Sequence, residues 1–247
     1  MTRIIAGPNA VEEALKEGRS HVEVVYVLSG LSQKTAARIF ALGERRRINV
    51  ESVPLSRLDA IAGDTRHQGV IAIAGEFTYT PLETILCAGV AATTSVIAVL
   101  DQVQDPGNLG AIVRTARCLD ATGVVITKDR SCAMTPGAVR ASAGASELLP
   151  VSRVGNLATA MGQIRDAGFA IFGAAADADV SVDELEWPSR VAVVLGNEGK
   201  GLRRLTVQNC DRLFAIPMPG GFESLNVSAS AAIALFQVAR YHRRTAQ

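Results

Sequence analysis

The sequence predicts an α/β chain in two parts: a small N-terminal α/β/α domain, then a larger α/β domain with a mostly parallel sheet covered on both faces. Three observations carry this. Short Val- and Ile-rich runs alternate with segments of helical periodicity, the pattern of a sheet flanked by helices. Several of these runs, "SVIAVL", "GVVIT" and "RVAVVL" among them, are almost wholly apolar, as strands buried on both faces must be. The alternation pauses once, over residues 76–94, "EFTYTPLETILCAGVAATT", which reads as a connector holding one or two helical turns. Residues 1–75 and 95–247 are therefore expected to be separate domains.

In the first domain "GPNAVEEALKEG" reads as a helix, with Val11, Ala14 and Leu15 on one face. "VEVVYVLS" is a strand, and "QKTAARIFALGERRR" a helix with Ala36, Ile39, Phe40 and Gly43 at helical spacing. "INVESV" is a strand, "SRLDAIAG" a short helix with Ser56 as its expected N-cap, and "QGVIAIAG" a closing strand. In the second domain "SVIAVL", "GVVIT", "VSRV", "FAIFGAA", "RVAVVLG" and "RLFAIPM" read as strands. Between and after them "NLGAIVRTARCLDA", "PGAVRASAGASELL", "NLATAMGQIRDAG", "GLRRLTVQNC" and "NVSASAAIALFQVARYH" read as helices.

Composition excludes several classes. Hydrophobic residues make up 48% of 247, too many for a disordered chain. No apolar run approaches the roughly 20 residues a bilayer requires, and the N-terminus acquires acids too early for a secretory signal. Cys87, Cys118, Cys132 and Cys210 are scattered, and His21, His67 and His242 have no ligand spacing beside them, so no metal is expected and the thiols read as reduced in a cytoplasmic protein. The net charge of +1 gives no general pull toward nucleic acid, although basic residues cluster at 44–47, 203–204 and 240–244. Each cluster alone is as well explained as a solvated helix end.

Ligands of parallel sheets bind beyond the carboxyl ends of strands, so the turns after strands are where chemistry is sought. Three turns in the second domain are rich in glycine and polar residues: "DQVQDPGNLGAIVRTA" (101–116), "GNEGKGL" (196–202) and "PGGFESLNVSASAA" (219–232). A Walker loop requires four residues between its first Gly and Gly-Lys, whereas two separate Gly196 from Gly199-Lys200, and no Ser or Thr follows. "DPGNLGA" has the wrong register for a dinucleotide fingerprint, and neither Ser224 nor Ser228 sits in a GxSxG frame. Any one turn could be a plain tight turn. Three of them after three strands of one half-chain weaken that plain reading considerably.

Taken together, "LDQVQDPGNLGAIVRTA", "VVLGNEGKGL" and "FAIPMPGGFESLNVSASAAIALF" resemble, in order and spacing, the three motifs of the SpoU or TrmH methyltransferases of the SPOUT class, over residues 97 to 243. Residues 1–75 are similar, less distinctively, to the small RNA-binding domain carried by members that methylate a guanosine 2′-hydroxyl in large-subunit (23S) ribosomal RNA. The resemblance implies a deep C-terminal trefoil knot, an S-adenosylmethionine cofactor, an RNA substrate and a homodimer with its active site near the subunit contact. Transfer RNA is the nearest alternative substrate, and antibiotic resistance or a non-catalytic assembly role are further variants. "PGGFESLN" departs in its first residues from the ribosomal subgroup while leaving Ser224 and Asn226 in register.

Carried over by motif position, the resemblance places Leu195, Gly196, Ile216, Met218, Ser224 and Leu225 around the cofactor. It gives Arg114 the central catalytic role, with Asn108, Glu198, Ser224 and Asn226 completing the site. Asn226 is also a natural N-cap for the last helix. Arg114 either lowers the pKa of the ribose hydroxyl electrostatically while holding the adjacent phosphate, or transiently takes its proton. Arg45, Arg46, Arg47 and Arg66 are the expected RNA phosphate contacts in the first domain, with Arg117, Arg140 and Arg203 as weaker candidates in the second.

Overall fold

The computed structural model describes residues 2–17, 21–63, 65–197, 199–221 and 224–245. The N-terminal domain runs β1 (Arg3–Ala6), α1 (Pro8–Glu17), β2 (Val22–Leu28), α2 (Gln33–Arg46), β3 (Asn49–Val53), α3 (Leu55–Ala62) and β4 (Val70–Ala74). Its sheet has the order β1-β4-β2-β3. β4 is antiparallel to both of its neighbours, while β2 and β3 are parallel. Val11, Ala14 and Leu15 are buried on the inner face of α1, as their spacing predicts, and Ile39 and Gly43 are buried on α2, whereas Phe40 is exposed. β1 escapes a reading by pattern because it is a four-residue edge strand whose partner is far along the chain. Ser56 is not the N-cap of α3: Pro54 holds that position with φ −69° and ψ 159° and no side-chain bond, and Ser56 falls inside the first turn. A proline already fixed near helical φ starts the helix two residues earlier than the serine suggests.

The C-terminal region continues with α4 (Leu82–Ala91), β5 (Ser95–Leu100), α5 (Pro106–Cys118), β6 (Gly123–Thr127), α6 (Pro136–Ala141), α7 (Ala145–Leu148), β7 (Val151–Val154), α8 (Leu157–Asp166), β8 (Ala170–Ala174), β9 (Arg190–Leu195), α9 (Arg204–Gln208), β10 (Arg212–Phe214) and α10 (Val227–Thr245). Six strands form one sheet, β10-β8-β9-β5-β6-β7, parallel at every pairing. Strand parity distributes the core. Val96, Ala98, Leu100, Val191, Val193 and Leu195 point to the face covered by α5 and α10, and Ile97, Val99, Ala192 and Val194 to the face covered by α4 and α8. Burial on both faces is why these strands are apolar without alternation, each large side chain contributing roughly 1.5–3 kcal/mol.

Two expected elements differ. The connector holds a ten-residue helix, α4, whose Leu82, Ile85 and Leu86 enter the second core. The segment read as one helix over "PGAVRASAGASELL" is two short ones, because Ala143 (φ 51°) and Gly144 (φ 91°) turn the backbone left-handed between them. The strand order places β5 beside β9, although β6 and β7 lie to one side and β8 to the other. The sheet therefore reverses its direction of growth between β5 and β9, and a crevice opens outside the carboxyl ends at such a point.

Candidate active site

The turn after β9 is built around Asn197. Its backbone exchanges hydrogen bonds with Gly201: Asn197 N donates to the Gly201 carbonyl at 3.1 Å, and Gly201 N to the Asn197 carbonyl at 2.8 Å. Its Oδ1 accepts from the backbone N–H groups of Gly199 at 3.0 Å and Lys200 at 3.3 Å. Its Nδ2 donates to the Gln102 carbonyl at 3.0 Å, which ties this turn to the one after β5. Asp101, fully buried at the end of β5, makes the second tie. It accepts from Arg203 N at 3.1 Å, Arg203 Nε at 2.7 Å and Thr206 Oγ1 at 2.6 Å. Gly196 is fixed by space: a Cβ there would lie 2.5 Å from Leu202 N and overlap the Gly201 carbonyl. The loop is thus folded tightly over its own first residue, and Gly196, Asn197, Gly199, Lys200 and Gly201 line a cavity.

That cavity, of about 480 Å³, sits at the carboxyl ends of β8, β9 and β10. Its walls include Leu195, Gly196, Ile216, Met218, Ser224 and Leu225, so all six residues assigned to the cofactor on motif position share one space. Phe214, Val207 and Val227 add apolar surface. Asp177 and Lys200 give it one charge of each sign among the described residues. The volume lies within the roughly 300–1,000 Å³ of small-molecule sites. Apolar walls, close backbone and one acid with one base suit a ligand with an adenine ring, a sulfonium and an amino-acid zwitterion.

Asn226 lies between two lining residues and connects the cavity to α5. Its Nδ2 donates to Asn108 Oδ1 at 3.0 Å, across the reversal point of the sheet. Its Oδ1 accepts from Ser228 N at 2.8 Å and Ser228 Oγ at 2.6 Å, so it also caps α10, as its position before the last helix predicts. Asp105 caps α5 in turn, accepting from Asn108 N at 2.7 Å. The structure therefore places Ser224 in the cavity wall and links Asn108 and Asn226 to one another beside it. Arg114 is not among them. It is exposed on α5, roughly 9 Å along the axis from Asn108 by helical rise, and is outside the cavity lining. Glu198 lies outside the described residues.

Of the expected RNA contacts, Arg45 and Arg46 end α2 and Arg47 caps it in a left-handed conformation (φ 57°), all three exposed. Arg66 is exposed in the loop before β4, and Arg140 reaches that loop by donating to Thr65 Oγ1 at 3.3 Å. Arg117 faces solvent with Asp120 3.7 Å away. Arg203 is engaged with Asp101 and is an internal fastener of the loop. Sequence reasoning missed Asp101, Asn197 and the Ala174–Asp177 wall. The wall was accessible to the rule that strand carboxyl ends carry sites, since "FAIFGAAADAD" ends a strand. The two polar fasteners had no signal of their own, because their partners lie about a hundred residues away in the chain.

An all-parallel sheet with a glycine-walled cavity beside its reversal point defines a small-ligand α/β enzyme. Residues 95–236 match the model of the SpoU rRNA methylase family, and residues 4–80 match the RNA 2′-O ribose methyltransferase substrate-binding model. The chain belongs to the SpoU family and is an RNA 2′-O-ribose methyltransferase. It is 38% identical over 239 residues, 96% of this chain and 95% of the relative, to a 23S rRNA (guanosine-2′-O-)-methyltransferase of Xanthomonas campestris. It is 37% identical over 243 residues, 98% of this chain and 77% of the relative, to an uncharacterized tRNA/rRNA methyltransferase of Mycolicibacterium vanbaalenii. The solved structure of an AdoMet-bound rRNA methyltransferase from Sinorhizobium meliloti superposes with a TM-score of 0.80 at 26% identity, covering 98% of this chain and 87% of that one.

Proposed function

We propose that this enzyme uses S-adenosylmethionine to methylate the ribose 2′-hydroxyl of a guanosine in 23S ribosomal RNA, in the cytoplasm, as a homodimer. One observation carries the reading: the second and third motif turns close around a single cavity, and Asn226–Asn108 ties its rim to the first motif. The choice of guanosine and of ribosomal RNA is supported by the Xanthomonas relative, which aligns along nearly its whole length. We assign residues 1–75 to the substrate domain, 76–94 to the linker and 95–247 to the methyltransferase domain. The knotted chain path belongs to the same reading, supported by the convergence of the β9–α9 loop and the segment entering α10 on that cavity.

Bound in the cavity, S-adenosylmethionine supplies a methyl carbon already activated by its positive sulfur. The chain must hold the hydroxyl in line and remove its proton. Leu195, Ile216, Met218 and Leu225 provide apolar walls, and Gly196, which has no side chain, lets the folded loop approach the donor closely. Ser224 stands at the cavity edge, where its hydroxyl polarises the ribose hydroxyl. Asn108 and Asn226, bonded to one another, fix the rim, and Glu198 is assigned the same orienting task. Arg114 holds the adjacent phosphate and lowers the hydroxyl's pKa. A guanidinium whose own pKa exceeds about 12 does this better as a charge than as a base, so the hydroxyl proton would pass to solvent water as the methyl–oxygen bond forms and the methyl–sulfur bond breaks.

Arg114 lies outside the cavity of its own chain, which supports a site shared between two copies. The exposed side of α10, with Ala229 and Phe236, offers an apolar face for the second copy. Arg45, Arg46, Arg47, Arg66 and Arg117 are assigned to phosphate contacts that position the RNA. The test is incubation with labelled donor and separate pools of unmodified ribosomal and transfer RNA, followed by mapping of 2′-O-methyl positions. Label at one guanosine of large-subunit RNA is expected. Label confined to transfer RNA would overturn the substrate, and label in neither pool the activity.

A further inference from the structure

The two domains meet at a buried, charged junction. Arg3 opens β1, and its Nη1 and Nη2 donate to Glu147 Oε1 at 2.9 Å and Oε2 at 3.2 Å, with Glu147 on α7 of the methylase domain. The two side chains are 5% and 1% exposed. The same guanidinium donates from Nε to the Gly75 carbonyl at 3.2 Å and lies 5.4 Å from the centre of the Phe77 ring. One side chain thus joins the first strand, the end of the last strand of its sheet, the connector and α7. Next to it α1 packs on α7 so closely that a Cβ at Gly144 would lie 3.0 Å from Ala10 Cα. The connector is held too: Thr80 N donates to the Val151 carbonyl at 2.8 Å, and Tyr79 Oη accepts from Met134 N at 2.9 Å.

A buried ion pair adds little net stability, because desolvation offsets its attraction, but a bidentate pair accepts one orientation only. Domains joined by a plain linker move relative to one another by default. Here opening or sliding would break a two-point charge contact and separate touching helix backbones. We infer that the Arg3–Glu147 pair is a specificity-determining clamp, which fixes the offset between the substrate domain and the methyl-transfer cavity and so determines which nucleotide reaches the donor. The inference rests on the RNA-methyltransferase reading for its substrate and on the junction's own geometry for its mechanism. Methyl transfer is intolerant of displacement, so a change of offset costs rate at the native nucleotide and gains access for its neighbours.

Two variants attack the junction independently. Glu147→Gln keeps the side-chain shape and removes the charge, while Ala10→Leu wedges α1 from α7 without touching the pair. For each, small-angle scattering, donor affinity by calorimetry, and kcat/KM with a 2′-O-methyl map on 23S RNA are measured. Expected are a larger radius of gyration, unchanged donor affinity, a loss in kcat/KM on the order of 100-fold, and methylation spread to adjacent nucleotides. Wild-type scattering with the single native position retained in both variants would overturn the clamp. Loss of donor affinity in parallel with RNA activity would overturn it as well, showing a folding role only. If the wild type methylates no RNA, the functional reading fails, and scattering alone decides whether the pair fixes the offset: expansion upholds it and no change overturns it.

Discussion

Two buried carboxylates hold this protein's working parts in place, and they do so differently. Asp101 has three donors from one short stretch, Arg203 and Thr206, and one of these donors is a backbone N–H. Its charged partner is half in water, the Arg203 side chain being 46% exposed. Glu147 faces a guanidinium that is itself buried, from a residue 144 positions away in another domain. The first arrangement is a local fastener: it folds a loop onto the strand beside it, and solvent still reaches the cation. The second is an orienting device between bodies, and with both ions desolvated it tolerates the loss of neither partner. Anchoring a loop needs several directed donors, whereas anchoring a domain needs one contact that is costly to make wrongly.

The comparison can be broken in order of expected effect. Arg114→Ala removes the charge proposed to act on the reacting hydroxyl and should lower kcat by about 100-fold or more, with donor affinity intact by calorimetry; retained turnover would remove Arg114 from the chemistry. Glu147→Ala removes the buried carboxylate that faces Arg3 and should cost about 3–5 kcal/mol in denaturant unfolding, with the N-terminal domain released first. Asp101→Asn, by contrast, should cost only about 1.5–3 kcal/mol, as a hydrogen-bonded charge is lost from a partly wet network. Its signature should be weakened donor binding with the RNA domain still docked. If Asp101→Asn instead expands the molecule in scattering, the division between local fastener and domain anchor is wrong.

Gly196→Ala should act on the loop alone. A methyl group cannot enter beside Gly201 and Leu202 without moving backbone, at a cost of about 1–3 kcal/mol expressed mainly as lost donor affinity. The smallest effect is chemical. Cys210, where burial pushes the thiol up to about 12, should resist alkylation at pH 8, while the exposed Cys87 and Cys118 react. Mass spectrometry after brief iodoacetamide treatment reads this directly, and early loss of Cys210 would show that the α9 region opens.

Much of the architecture is legible from residue type because it is local. Uninterrupted Val and Ile runs force strands that are buried on both faces, and two of the glycine turns after them mark where the cavity lies. The six residues assigned to the cofactor share one cavity, and motif position could group them because each stands within a few residues of a turn that the chain itself advertises. β1 was not legible, since four residues carry too little periodicity. The break at Gly144 was not either, since a glycine near a helix end reads equally as a cap or an interior residue.

What the sequence by itself determined is therefore most of the elements, the division into two domains and the end of the sheet at which the cavity lies. What only the tertiary structure decided is which distant groups meet: Asn197 with Gln102, Asp101 with Thr206, Asn226 with Asn108, and Arg3 with Glu147. The physical reason is range. Periodicity and turn chemistry act over a handful of residues, whereas a hydrogen bond or ion pair between segments a hundred residues apart leaves no trace in either segment until packing brings them together.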